Sequence, residues 1–585
     1  PSRVSIPSAL IRHPGIGKEL FELFATKFDS STAGSKEDRL DACSDIRQAF
    51  FASLRSVSAL ADDKALRRLE ALISVTLRTN FYRHGGREPS SRSGGVPYIS
   101  FKFACRDMEF LKRTRLLYEV WVHSSRMEGV HLRGASVARG GIRWSDRPDD
   151  FRTEVLGLVK TQMVKNSVIV PAGSKGGFVT RVVPAEPEER LDEARRQYET
   201  LMRGLLDITD NLVEGRPHAP DKVISYDGPD PYLVVAADKG TATFSDVANA
   251  ISGEYGFWLD DAFASGGSNG YDHKAIGITA RGAWECVRRH FYEMGKDIQS
   301  EPFTVVGIGD MSGDVFGNGM LLSEQIRLLA AFDHRHVFID PNPDPASSFA
   351  ERKRLFEMGR SSWEDYDQGL LSSGGMIVSR ASKEVELSPE ARKALGIPKD
   401  APEVMDGESL IRAVIQAPAE LLWNGGIGTY VKASSETDAE AGDSANDAVR
   451  VDAPALRCNV VGEGGNLGLT QRARIEYALQ GGRINTDALD NSGGVDMSDH
   501  EVNLKILLAP AVAAGVLSRD KRNELLEELT EAVAKLVLRN NRSQSLAISL
   551  DQRRAREADD DFRDLMFALE KTGELDRRPR PRRAG

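Results

Sequence analysis

The chain has 585 residues, of which 41% are hydrophobic and 28% charged, with a formal net charge of -10 at pH 7. That length allows two or more domains with sizeable cores, and the acidic balance argues against nucleic acid as a main partner, because phosphate binding wants a basic face. Cys43, Cys105, Cys286 and Cys458 are far apart and form no CxxC pair, which excludes an obvious zinc site or disulfide framework and fits a reducing cytoplasm.

No apolar run reaches the roughly 18 residues that cross a bilayer, since the longest, 506–517, is broken by Pro510 and Gly515. No membrane association is expected. The opening PSRVSIPSALIRHPG lacks the regions of a signal peptide and has no initiating Met, so the expectation is that the chain is part of something longer.

In chain order, residues 1–95 read as a helical segment, with 66–82 as an example, closing in the loop HGGREPSSRSGG. Strand-like runs follow at 98–103 and 118–123, the second alternating as Tyr-Glu-Val-Trp-Val-His. The stretch 138–178 then sets Arg139, Lys165 and Lys175 among glycines around one amphipathic helix. Phe151, Val155, Leu158, Val159, Gln162 and Met163 mark the buried face of that helix.

A short strand is expected at 168–170, ending at Pro171, so that Lys175 sits on a Gly-Ser-Lys-Gly-Gly turn. A lysine near other cations and partly removed from water has its pKa lowered and can polarise a carbonyl or activate water. A solvated Gly-Lys loop would be the plainer reading of GKGG alone. Three cations together, upstream of a dinucleotide fold, point instead to a small dicarboxylate.

A helix is expected at 192–214 and a buried strand at 232–236, delivering Asp238 to its end. That Asp could aim into a crevice or simply cap the next turn. Residues 303–319, FTVVGIGDMSGDVFGNG, read as strand, glycine turn and helix, with Gly307, Gly309 and Gly313 placed to receive a pyrophosphate. A strand at 337–339 ends at Asp340, which could hydrogen-bond an adenosine ribose and favour NAD over NADP.

Residues 341–417 look like an insertion, and 421–431 and 459–469 like further strand and glycine-loop units. The acidic stretch 434–453 reads as a mobile surface loop. From 489 onward the chain is mostly helical, ending in the basic tail RRPRPRRAG, best read as a disordered end. Asp496, Asp499, His500 and Glu501 could suggest a metal, but capping at a helix start explains them, and no metal is expected.

Taken together, 98–506 resembles the glutamate dehydrogenase superfamily, in particular the catalytic core of the large bacterial NAD-dependent enzymes. The resemblance implies an α/β fold: an amino-acid-dehydrogenase-like substrate domain at 96–280 and a Rossmann NAD-binding domain at 281–488 with the insertion 341–417. Helical parts flank them at 1–95 and 489–585. It implies that Lys165 binds the substrate α-carboxylate and that Arg139, where the smaller enzymes have lysine, binds the distal carboxylate together with Ser498.

Lys175 and Asp238 match the catalytic lysine and aspartate. Thr279, Asn466 and Asn424 match cofactor-side positions. The activity implied is oxidative deamination of L-glutamate to 2-oxoglutarate and ammonium with NAD, in a cleft between the domains of a cytoplasmic homo-oligomer. A dehydrogenase of another amino acid is disfavoured by the polar Arg139 and Ser498, since an unpaired buried carboxylate would be costly. A catalytically silent NAD-sensing domain is the other alternative, disfavoured by the intact Lys165, Lys175 and Asp238.

Overall fold

The computed structural model describes residues 5–32, 34–83, 98–108, 116–165, 172–237 and 243–575. The chain forms two compact units, Pro1–His273 with Val495–Val533, and Lys274–Gly494 with Ala534–Gly585. The last helical part is shared between the units instead of standing apart, and the basic tail lies outside the described residues.

The first unit starts with helices α1 (Ser5–Arg12), α2 (Pro14–Phe28), α3 (Lys36–Leu54) and α4 (Leu60–Val75). Ser35 begins α3 with a capping box, its hydroxyl accepting from the Asp38 amide while the Asp38 carboxylate accepts from the Ser35 amide. The helix expected over 66–82 stops at Val75, and Thr76–Thr79 forms β1. Arg78 is the reason: its fully buried guanidinium is drawn to Asp210 and Asp227.

Strands β2 (Tyr98–Ala104), β3 (Tyr118–Ser124), β4 (Met127–Arg133), β5 (Ala138–Trp144), β6 (Ala172–Thr180), β7 (Val234–Ala237) and β8 (Ala264–Ser265) complete an eight-stranded sheet in the order β1-β2-β3-β4-β6-β5-β7-β8. β6, β5, β7 and β8 run parallel, while β1 to β4 and β6 are antiparallel neighbours. Helix α5 (Phe151–Lys165) buries Phe151, Val155 and Val159 against Val130, Leu132 and Val179. On the alternate face, α6 (Pro187–Leu206) and α7 (Ser245–Glu254) cover Ile142 and Phe178. α6 ends well short of the expected residue 214, and Asn211–Val213 is extended.

The second unit holds β9 (Phe303–Ile308), β10 (Ile326–Phe332), β11 (His336–Ile339), β12 (Met376–Ser379), β13 (Leu421–Asn424) and β14 (Val460–Glu463), in the order β12-β11-β10-β9-β13-β14. The four strands β10, β9, β13 and β14 are parallel, and β11 and β12 are antiparallel additions at one edge. Both faces are covered, as a parallel sheet requires. α8 (Ile278–Glu293) and α9 (Asp314–Gly319) pack Trp284, Phe291 and Phe316 on one side. α10 (Gly407–Ile415) packs Leu410, Ile411 and Val414 on the other.

The α/β class expected from the sequence is found in both units. The expected insertion 341–417 is not an appendage, because it supplies β12 to the sheet and α10 to the core. Nor is 434–453 a loose loop. Buried Arg450 ties it down by bonding the Thr429 carbonyl and pairing with Asp438 and Asp447, while Val449 and Val451 join the core.

Candidate functional site

Lys175 stands in the middle of β6, opposite Leu132 of β4, and is buried. The expected turn is therefore a strand. Its glycines serve a different close approach from the one expected: a Cβ at Gly173 would lie 2.1 Å from the Gln162 carbonyl oxygen and one at Gly177 2.5 Å from Val155, so α5 could not seat over larger residues. Strand 168–170 lies outside the described residues.

Arg139 of β5 is in register with Gly173 of β6, two residues from Lys175, so both cations share one face of the sheet. α5 ends at Lys165, whose side chain lies outside the described residues. Asp238 also lies outside them, one residue past the end of β7, whose Val234 pairs with Arg139. Ser498 lies on α11 (Ser492–Ala513), with its hydroxyl 3.3 Å from His273 Nε2, and burial pulls the His273 pKa down.

Arg139 itself is only 5% exposed and bonds within its own unit. Its Nε–H donates to Tyr232 Oη at 2.7 Å, and its two η nitrogens donate to the Asp499 carbonyl at 2.8 Å and to Asn503 Oδ1 at 2.6 Å. Arg139 and Ser498, expected around one carboxylate, thus each have a partner of their own. Because α11 begins at Ser492, residues 496–501 lie inside the helix and do not cap its start. Glu501 accepts from the Tyr271 amide and from Lys505, and Asp499 lies 3.5 Å from Arg139.

In the second unit the C-terminal ends of four parallel strands converge, the usual seat of a dinucleotide. Gly309, with φ of +137°, donates its amide to the Phe332 carbonyl, and Gly425 and Gly465 donate to Ile308 and Asn424. Gly307 lies within β9 and Gly313 caps α9. Asn424 ends β13 fully buried, with neither its amide nitrogen nor its oxygen bonded. Unbonded buried polar atoms at a strand end call for a ligand or water. Asn466 is exposed on the loop after β14, and Thr279 is buried in the first turn of α8.

Asp340 does not belong to this edge. β11 is antiparallel to β10, so Asp340 runs back from the edge to the middle of β10, where its amide donates to Leu329 and its carboxylate accepts from Ser372. Asp333, directly after β10, occupies the position expected for Asp340. One of its oxygens accepts from the amides of Arg335 and His336, and the other is buried without a partner. The glycine loop adds Asp310, whose Oδ1 accepts from Ser312 N at 2.8 Å and Gly313 N at 3.1 Å. Asp310, Asp333 and His334 bring ligand atoms within 4.8 Å of one another, a spacing a cation could bridge; 496–501 forms no such group among the described residues.

The model of the family described as bacterial NAD-glutamate dehydrogenase, catalytic domain, matches residues 49–551. The chain belongs to this family. It is 55% identical over 574 residues to the NAD-specific glutamate dehydrogenase of Pseudomonas aeruginosa, covering 98% of this chain and 35% of that protein. The Halomonas elongata enzyme of the same name is 52% identical over 98% of the chain and 35% of the relative, and that of Mycobacterium tuberculosis 54% identical over 93% and 34%. The chain thus spans about a third of the length of these curated relatives.

For a member of this bacterial glutamate dehydrogenase family, Asp333 was the residue most open to detection. It follows an apolar run, 326–332, and falls at roughly the 20-residue interval past the glycines that dinucleotide folds use. Tyr232, Asn503 and His273 carried no such signal, because their importance comes only from what they touch. Glu463 is a further surprise. It ends β14 fully buried, paired with Arg474 at 2.6 and 2.9 Å, and burial still pushes its carboxyl up to about 7.

Proposed function

We propose that the chain catalyses oxidative deamination of L-glutamate: glutamate, NAD and water give 2-oxoglutarate, NADH, ammonium and a proton. The observation that carries this reading is the pair of buried cations, Arg139 and Lys175, on one face of a sheet, in a chain that also carries a dinucleotide-type parallel sheet. Family membership supports the same reaction, and so do the names of the relatives.

In this reading Lys165 holds the α-carboxylate and Arg139 and Ser498 face the distal one, fixing Cα for reaction. Lys175 activates the water that adds to the oxidised carbon, and Asp238 moves protons to and from the substrate nitrogen. NAD, when bound, supplies the hydride acceptor. Gly307, Gly309 and Gly313 would lie along its pyrophosphate, the unpaired oxygen of Asp333 would take the adenosine ribose and disfavour a 2'-phosphate, and Thr279, Asn424 and Asn466 would line the nicotinamide side.

A homo-oligomer in the cytoplasm belongs to the same reading, supported by four buried free cysteines; no helix among the described residues is long and apolar enough to cross a membrane. The test is glutamate-dependent NADH formation by wild type, Lys175→Ala and Asp238→Asn. Both variants should lose on the order of 10²-fold or more in kcat while keeping wild-type melting. Near-normal turnover in either ends its assigned role, and NAD binding without any turnover in wild type would favour the silent domain.

A further inference from the structure

Arg139 is surrounded by three acceptors that come from two places. Tyr232 lies two residues ahead of β7, and Asp499 and Asn503 stand one turn apart on α11, the helix that carries Ser498. One planar side chain therefore joins β5, the approach to its neighbouring strand, and α11. Three of the guanidinium's five N–H donors are used in doing so. The Asp499 carboxylate, 3.5 Å away, already offsets its charge, and the Tyr232 ring centre lies 5.9 Å from it. A lysine has a single ammonium and no fork, and could not meet these three acceptors at once.

We infer that Arg139 is a clamp that seats α11 against β5, and so sets where Ser498 stands, and does not serve the substrate's distal carboxylate alone, for which two of its N–H donors remain. The role of Ser498 in that statement rests on the reaction proposed above. The clamp itself is a statement about the first unit alone. It accounts for the arginine at this place: the position has to bridge a strand and a helix, and a guanidinium spreads its donors over three nitrogens where an ammonium carries all of them on one.

Asn503 separates the two possibilities, because it is a partner of Arg139 with no assigned contact to substrate. In the clamp, Asn503→Ala loosens α11 much as Arg139→Lys does. Each should raise KM for glutamate about ten-fold with kcat within about two-fold, and the double variant should be no worse than the worse single one. NAD affinity, measured by titration calorimetry, should not move. If Arg139 grips substrate without seating α11, Asn503→Ala frees a donor, KM stays level or falls, and the two changes add; that result overturns the inference.

Tyr232→Phe keeps the ring and removes one bond, so a smaller rise in KM is expected even if Arg139→Lys fails to fold. Hydrogen exchange across 495–510 gives a readout independent of turnover. Faster exchange in both Asn503→Ala and Tyr232→Phe supports the clamp, and unchanged exchange in both refutes it. If wild type shows no glutamate-dependent turnover, the proposed reaction fails, and exchange alone still decides the clamp.

Discussion

Both units bury carboxylates, and the two settings differ in charge balance: one is neutral, the other net negative. In the first unit Asp210, Asp227 and Asp230 meet three cations, Arg78, Lys102 and Arg133, and Asp227 and Asp230 are held below the usual carboxylate range by them, burial notwithstanding. In the second unit Glu463, Asp487 and Asp490 gather around Arg474, and burial raises Glu463 to about 7 and Asp490 to about 6. Asp230 and Glu463 are both buried, so burial alone does not set the protonation state. The number of cations per carboxylate does.

The largest effect that can break this contrast is loss of a cation from the balanced network. Arg78→Met leaves Asp210 and Asp227 buried against an apolar chain, and should cost about 3–5 kcal/mol in urea unfolding of the first unit. A loss below about 1 kcal/mol would mean that the network relaxes or takes in water.

The pH dependence of the two units should differ in sign. Asp227 and Asp230 have depressed native pKa values, so their contribution is present above the unfolded value near 4 and is lost as pH falls through the native one. Glu463 and Asp490 have raised native values, so theirs is present below the unfolded value and is lost as pH climbs to about 6 and about 7. Hydrogen exchange resolved by unit should show the first unit weakening in acid and the second weakening toward neutrality. Asp490→Asn should flatten the second slope by on the order of 1–2 kcal/mol, and an unchanged slope would place the titration elsewhere.

The smallest effect concerns recognition. Asp333→Asn should weaken NAD binding several-fold and narrow its margin over NADP, whereas Asp340→Asn should change neither. Equal effects from both would contradict the topology that leaves Asp333 at the strand-end edge and sets Asp340 back beside the middle of β10.

The parallel core around 303–319 was legible because its glycines and apolar run are local signals. The strand before Asp333 was passed over in favour of the next apolar run, 337–339, and only the reversal between β10 and β11 shows which Asp reaches the glycine loop. The glycines beside Lys175 suggested a turn, since sequence shows that something comes close to a glycine and not whether it is a ligand or a helix. Arg450 could not be seen to order 434–453 from composition alone. The partner of Arg139 was least legible of all: Asn503 lies 364 residues away, and no periodicity connects them.

The Asp310 carboxylate already satisfies the Ser312 and Gly313 amides. The glycine loop thus carries an anion of its own. Any phosphate that uses those two donors must evict a tethered competitor held at high local concentration, so occupancy there is an exchange of one anion for another. Such a loop trades grip for speed of departure.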